Sequence, residues 1–105
     1  MPVPSATSWS VVVVGVSSPG TAEQVTAHVV PEGMEIGVTA RLTNTQLMFL
    51  GPSQTAAQTP GSRKELQPGQ STSLRVWNTN LIWVDAENSS DRLELVPQKL
   101  PSTGG

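Results

Sequence analysis

Cysteine is absent from this chain, histidine occurs once, and charged side chains make up only 13% of its 105 residues. Without thiols there is no disulfide to brace a small core, no thiolate nucleophile and no Cys-based metal site. The core must therefore hold the fold alone or with partner subunits. The single His28 lies on the polar side of an alternating segment. It lacks the companions that a zinc site or a catalytic triad needs, and it reads as an ordinary strand residue. The six basic residues, Arg41, Arg63, Lys64, Arg75, Arg92 and Lys99, are scattered, and the formal charge is −2. Neither nucleic acid nor an anionic membrane is an expected partner, because both require clustered Lys and Arg.

A long hydrophobic run is also missing. Val11 to Val14 with Val16 falls far short of the roughly 20 residues that span a bilayer. No basic segment precedes it, and Pro2, Pro4 and Ser5 make a poor secretion signal, so synthesis and residence in a cytoplasm are expected. The chain contains instead nine Gly, nine Pro and a large share of Ser, Thr, Asn and Gln, a composition of frequent turns and an uncharged polar surface.

Seven short segments read as strands. Trp9 to Val16 is β-branched, and Thr21 to Val30 sets Val25, Ala27 and Val29 against Gln24, Thr26 and His28. The clearest alternation is Met34, Ile36, Val38, Ala40 and Leu42 against Glu35, Gly37, Thr39 and Arg41, one face core and the other wet. Gln46 to Leu50 is continuously apolar. Ser71 to Trp77 turns Leu74 and Val76 inward and Ser73, Arg75 and Trp77 outward. Leu81 to Asp85 offers Ile82 and Val84 as a core pair, and Leu93 to Leu95 closes the set. The punctuation is turn chemistry: Ser17-Ser18-Pro19-Gly20, Pro31-Glu32-Gly33, a type II turn at Gln67-Pro68-Gly69-Gln70, a tight turn at Asn78-Thr79-Asn80, and an acid-rich one from Ala86 to Asp91. No segment is a convincing helix. The expected fold is all-β, an antiparallel β-sandwich or jelly-roll-like barrel of about seven strands at 8–96. An extended arm is expected at 1–7, a tail without core pattern at 97–105, and a long structureless loop at 51–69 that binds or packs on a neighbour.

Catalytic signatures do not assemble. There is no G-x-S-x-G elbow, and Gly15 to Gly20 has phosphate-loop spacing but is followed by Thr21-Ala22 where Lys is required. Asp85, Glu87, Asn88 and Asp91 lack the spacing of a calcium loop and read as a solvated turn. No feature holds Glu32, Glu35 or this cluster as the paired carboxylates of a glycosidase. Asn88-Ser89-Ser90 matches a glycosylation sequon, incidentally in the absence of a secretion signal. Leu100 to Gly105, LPSTGG, resembles a sortase sorting motif without the apolar and basic stretches that follow a native one, so it is an added tag or a coincidence. Trp77 and Trp83 flank one expected hairpin with both rings outward. That pair reads as cross-strand stacking, a protein contact or a sugar-stacking platform.

From Val38 to Ala86 the order of features is more specific. VTARLTNTQLMFLGPS, a Thr/Gly-rich loop and LQPGQSTSLRVWNTNLIWVDA together resemble a small β domain recurrent in virion proteins of tailed bacteriophages. Asn44, Gly51, Ser53, Leu66, Pro68, Gly69, Ser71, Leu74, Val76, Asn78, Ile82, Trp83, Val84 and Ala86 occupy the matching positions. The resemblance covers about half the chain and rests mostly on turn and core residues. It implies a non-enzymatic capsid decoration (cement) or head-fibre protein on the virion surface, without a cofactor. Its partners would be the major capsid protein and further copies of itself, as a homotrimer or homodimer. Pro2, Val3 and Pro4 in the arm, Arg63 and Lys64 in the loop, and Trp77 and Trp83 are the candidate contact residues. A receptor- or carbohydrate-binding module of a tail or fibre is the alternative.

Overall fold

The computed structural model describes residues 11–99. Eight strands form within them: β1 (Val12–Val14), β2 (Glu23–Gln24), β3 (Met34–Ala40), β4 (Met48–Gly51), β5 (Lys64–Leu66), β6 (Ser71–Leu74), β7 (Trp83–Ala86) and β8 (Leu93–Lys99). A short helix, α1, spans Gln54–Gln58, and a 3-10 turn spans Thr79–Leu81. The first sheet has the order β1-β8-β3-β6 and the second β2-β7-β4-β5. All pairings between strands are antiparallel.

This order has a simple origin. β4 pairs with β5, β3 with β6, β2 with β7 and β1 with β8. The chain therefore doubles back at the β4–β5 connection into one long antiparallel ribbon. Wrapping that ribbon on itself adds the β3–β8 and β4–β7 pairings. Eight strands so arranged are a jelly roll, one of the two topologies that the strand pattern left open.

Period-two alternation then builds the core. Ile36, Val38, Ala40, Leu93 and Leu95 point inward from the first sheet, and Met48, Leu50, Leu66, Val84 and Ala86 from the second, all of them buried. Each large aliphatic side chain so placed contributes about 1.5–3 kcal/mol. Between the sheets the ribbon must bend, and there the strand ladder gives way to side-chain bonds. The hydroxyl of Thr79, wholly buried, donates to Thr26 O at 2.6 Å and accepts from His28 N at 2.8 Å. Asn78 Oδ1 accepts from His28 N and from Asn80 N, capping the 3-10 turn. Backbone bonds from Val25 N to Ile82 O, Thr79 N to His28 O and Val30 N to Trp77 O carry the ribbon across the bend.

A second polar knot ties two loops at the far end of the first sheet. Buried Asp91 accepts from Thr45 N and Gln46 N, while Asn44 and Arg92 exchange side-chain-to-backbone bonds at 2.8 and 2.9 Å. The expected turns are present. Gln70 N donates to Gln67 O with Gly69 at φ +86°, and Thr21 N donates to Ser18 O with Gly20 at φ +93°.

Several expectations are corrected. The 51–69 stretch is not structureless: it holds α1 and β5, which raises the strand count to eight. Ser71 to Trp77 and Leu81 to Asp85 do not form a hairpin, because β6 and β7 belong to different sheets. Only Glu23–Gln24 of the 21–30 segment is a strand. Beyond it the ribbon bends, so Ala27 and Val29 are exposed while Val25 and Val30 are buried. Leu42, assigned to the core, lies past the end of β3 and is 85% exposed. Glu35, assigned to the wet face, is buried under Gln98, whose Nε2 donates to its Oε2 at 2.8 Å. β8 continues through Pro97 to Lys99, three residues past the expected boundary, because β3 is long enough to pair it there. The arm at 1–7, Trp9 and the 100–105 motif lie outside the described residues.

The bend supplies a test. Thr79→Val keeps the shape of the side chain but leaves the part-buried Thr26 O without its hydroxyl donor and His28 N without its hydroxyl acceptor. We expect a loss of about 1–3 kcal/mol in urea unfolding, with Thr79→Ser closer to wild type.

Candidate interaction surfaces

The outer face of the second sheet is covered by the chain itself. Phe49 and Asp85 pair in register on β4 and β7, and both are buried. Over them lies α1, whose Ser53 N-cap oxygen accepts from Ala56 N. Its buried Ala57 packs over Gly51, where a Cβ would come within 2.6 Å of the Ala57 nitrogen. Glycine at 51 is thus what lets the helix lie down on the strand. Gln54 Nε2 donates to Ala22 O, Ala22 N to Gln58 Oε1, and Gly20 N to Asp85 Oδ1, which draws the β1–β2 loop into the same cover.

Arg63 completes that cover. Its guanidinium carbon sits 3.5 Å from the centroid of the Phe49 ring. Its side chain is only 14% exposed, with Nε 3.5 Å from Glu65 Oε2 and no hydrogen bond to it. Packing and a cation–π contact hold this cation in place. Lys64, its neighbour, is exposed on β5.

The outer face of the first sheet carries no such layer among the described residues. It presents Thr39 and Ser71, hydroxyls 2.9 Å apart, Gly37, Ser73, and the Arg41–Glu94 pair at 2.8 Å. Arg75 reaches toward Glu35 at 3.9 Å and is mostly in water. Such half-exposed pairs are worth little.

Trp77 and Leu81 are exposed at the side where β6 and β5 are the free edges, while Val11 and Val13 are exposed at β1, the opposite edge of the first sheet. Between β6 and β5 opens a groove of about 280 Å³ lined by Leu50, Pro52, Leu74, Val76, Leu81 and Ile82, with Lys64 on its rim. Next to it, Trp77 is 68% exposed beside a shallower cleft that includes Pro31, Met34, Glu32 and Arg75. Trp83 does not join it. It is half-buried on β7 of the other sheet, opposite Gln24 and Gly51. The two tryptophans therefore do not form the outward pair of one hairpin, and Trp77 stands without Trp83. Pro2, Val3 and Pro4 lie outside the described residues.

Leu42, exposed by 85%, was not legible as a surface residue, whereas Leu81, exposed by 40%, falls on the outward side of the Ile82 and Val84 alternation. The one available cue was that Leu42 abuts the polar Thr43-Asn44 turn. Asp85 and Asp91 are each spent on backbone N–H groups, and no group of three His, Cys, Asp or Glu converges among the described residues. Among them, too, no helix is long and apolar enough to cross a membrane. Comparison of the chain with protein-family models, curated proteins and solved structures finds no match.

Gly51→Ala tests the cover. The added methyl must displace α1 backbone, and we expect a loss of about 1–3 kcal/mol in thermal or urea unfolding, together with greater protease sensitivity within 52–63.

Proposed function

We propose that this protein is a structural virion component of a tailed bacteriophage. In this reading it decorates and stabilises the capsid through protein–protein contacts, is not an enzyme, and acts on the virion surface after synthesis in the host cytoplasm. The observation that carries the reading is the exposed Trp77 beside an apolar groove on the free side of a jelly roll. Exposed aromatic and aliphatic surface of this kind is typical of protein interfaces, where Trp is a frequent anchor. Two further points support it. The jelly roll is an architecture of viral capsid domains, although a fold by itself does not assign a role. The Val38–Ala86 stretch also resembles phage virion domains. Lys64, Trp77 and the groove are the contact surface in this reading, with Pro2, Val3 and Pro4 as an added strap to the major capsid protein.

A second reading is favoured by one specific observation. Trp77 stands over a cleft that also carries Glu32 and Arg75, an aromatic platform with polar partners suited to a saccharide. The protein would then be a receptor- or carbohydrate-binding module of a tail or fibre.

Mixing purified protein with phage heads that lack it separates the two. Decoration predicts co-sedimentation with heads and a higher temperature of head disruption, both lost in Trp77→Ser. Absence of head binding, together with glycan-dependent quenching of Trp77 fluorescence, would establish the second reading instead.

A further inference from the structure

β8 is described as far as Lys99, which pairs with Met34 at the start of β3. Leu100 to Gly105 follow, outside the described residues. The ladder sets the position open to the first of them. Arg41 N donates to Arg92 O. By the alternation of an antiparallel pair, Glu94, Val96 and Gln98 then bond toward β3. Pro97 and Lys99 are out of that phase, which is why β8 admits a proline there. Leu100 is the next residue in phase, and by the register its place is opposite Gly33. Pro101 repeats the phase of Pro97 and disfavours a helical conformation for the residue before it, which favours one more extended residue. Even-numbered side chains of β8 lie on the outer face, where Glu94 meets Arg41 and Gln98 meets Glu35. Arg75 approaches the same Glu35 from the β6 side, so this row is bridged across β3. In the next row Gly33 carries no side chain, and a Cβ there would meet nothing within 4 Å among the described residues. Beyond it stands exposed Trp77, held by the bond from Val30 N to its carbonyl, on a cleft of about 240 Å³ that Gly33, Pro31, Met34 and Val76 also line.

We propose that this cleft is occupied by the chain's own segment after β8, with Leu100 lying across Gly33 against the Trp77 indole. Two strand spacings, about 10 Å, separate the backbones on the two sides of β3. An indole and a leucine side chain close that distance only across a residue without a Cβ, and Gly33, held at φ +84°, is such a residue. Reach agrees, since Leu100 is one residue past the Lys99–Met34 pair and Met34 is itself a wall of the cleft. Charge agrees too. Residues 100–105 carry no charged side chain and bring none against Glu32 and Arg75 on the rim. Leu100 and Pro101 thereby gain a role in the fold, apart from any likeness to a sorting motif. Trp77 is then a guarded anchor, because a partner that takes the indole must displace Leu100. The inference goes beyond the function proposed above and stands without it.

Nuclear magnetic resonance on the full chain with labelled leucine methyls tests it. The Leu100 signals are identified by their loss in Leu100→Ala. The expected result is a nuclear Overhauser effect between the Leu100 methyls and the Trp77 indole protons. With it should come an upfield ring-current shift of those methyls that is lost in Trp77→Ser. Unchanged Leu93 and Leu95 signals report that the variant keeps its core. If it does not, the Overhauser contact in the unsubstituted chain decides alone. A mixture of labelled and unlabelled chains, filtered for contacts between them, identifies which chain supplies the leucine. Absence of the contact overturns the inference, as does a Leu100 shift that folded Trp77→Ser leaves in place, or a contact seen only between chains.

Discussion

The jelly roll depends on the bend between residues 25–30 and 77–82, where a single antiparallel ribbon passes from one sheet to the other. A strand ladder cannot turn that corner with all of its backbone groups paired, and the inner part of the corner, at Val25, Val30, Asn78, Thr79 and Ile82, is buried. Thr79 solves the problem by standing in for a strand: its hydroxyl donates to one backbone group of the opposite segment and accepts from another. Asn78 Oδ1 accepts from His28 N across the bend and from Asn80 N at the start of the 3-10 turn. With the bend satisfied, the two inner faces meet and Ile36, Val38, Leu93 and Leu95 close on Met48, Leu50, Leu66 and Val84. Without it, the ribbon would leave unpaired polar groups in a core that has no disulfide to compensate.

The same economy explains why the two outer faces differ. The longest connection, from β4 to β5, folds back as α1 and closes over Phe49 with Ala57 and Arg63. That leaves the second sheet dressed by its own chain. The first sheet has no comparable insertion among the described residues, and its outer face shows Thr39, Ser71, Ser73, the Arg41–Glu94 pair and, on β1, exposed Val13. Apolar exposure lies at the sheet edges, at Trp77, Leu81 and the groove on the β6 side and at Val11 and Val13 on the β1 side.

Several of the residues from which the sequence resemblance was read serve the architecture. Asn44 ties the β3–β4 loop to Arg92, Gly51 admits α1, Ser53 caps it, Gly69 takes a positive φ, and Asn78 caps the bend. Sandwich class and much of the core were readable, because alternation is a local property: Ile36, Val38, Ala40, Ile82, Val84, Leu93 and Leu95 are all buried. The exposed surface was far less readable. Leu42 and Val29 continue an apolar alternation and still emerge into solvent, because the strand ends or bends before it reaches them. Arg63 reads as a free loop cation, and only the return of its loop over Phe49 turns it into cover.

The sequence by itself determined that this is a cysteine-free all-β domain, where most of its turns fall, and which alternating residues face the core. Those properties follow from residue type and a period of two. Only the tertiary structure decided that β6 and β7 part into different sheets, that Trp77 stands apart from Trp83, that the 51–69 loop is cover, and which strands lie at the sheet edges. Each of those outcomes depends on how the ribbon wraps, which brings together residues more than thirty positions apart. No local pattern encodes that wrap, because the interactions that select it, at Thr79, Asp91 and Gly51, exist only once the two halves of the chain have met.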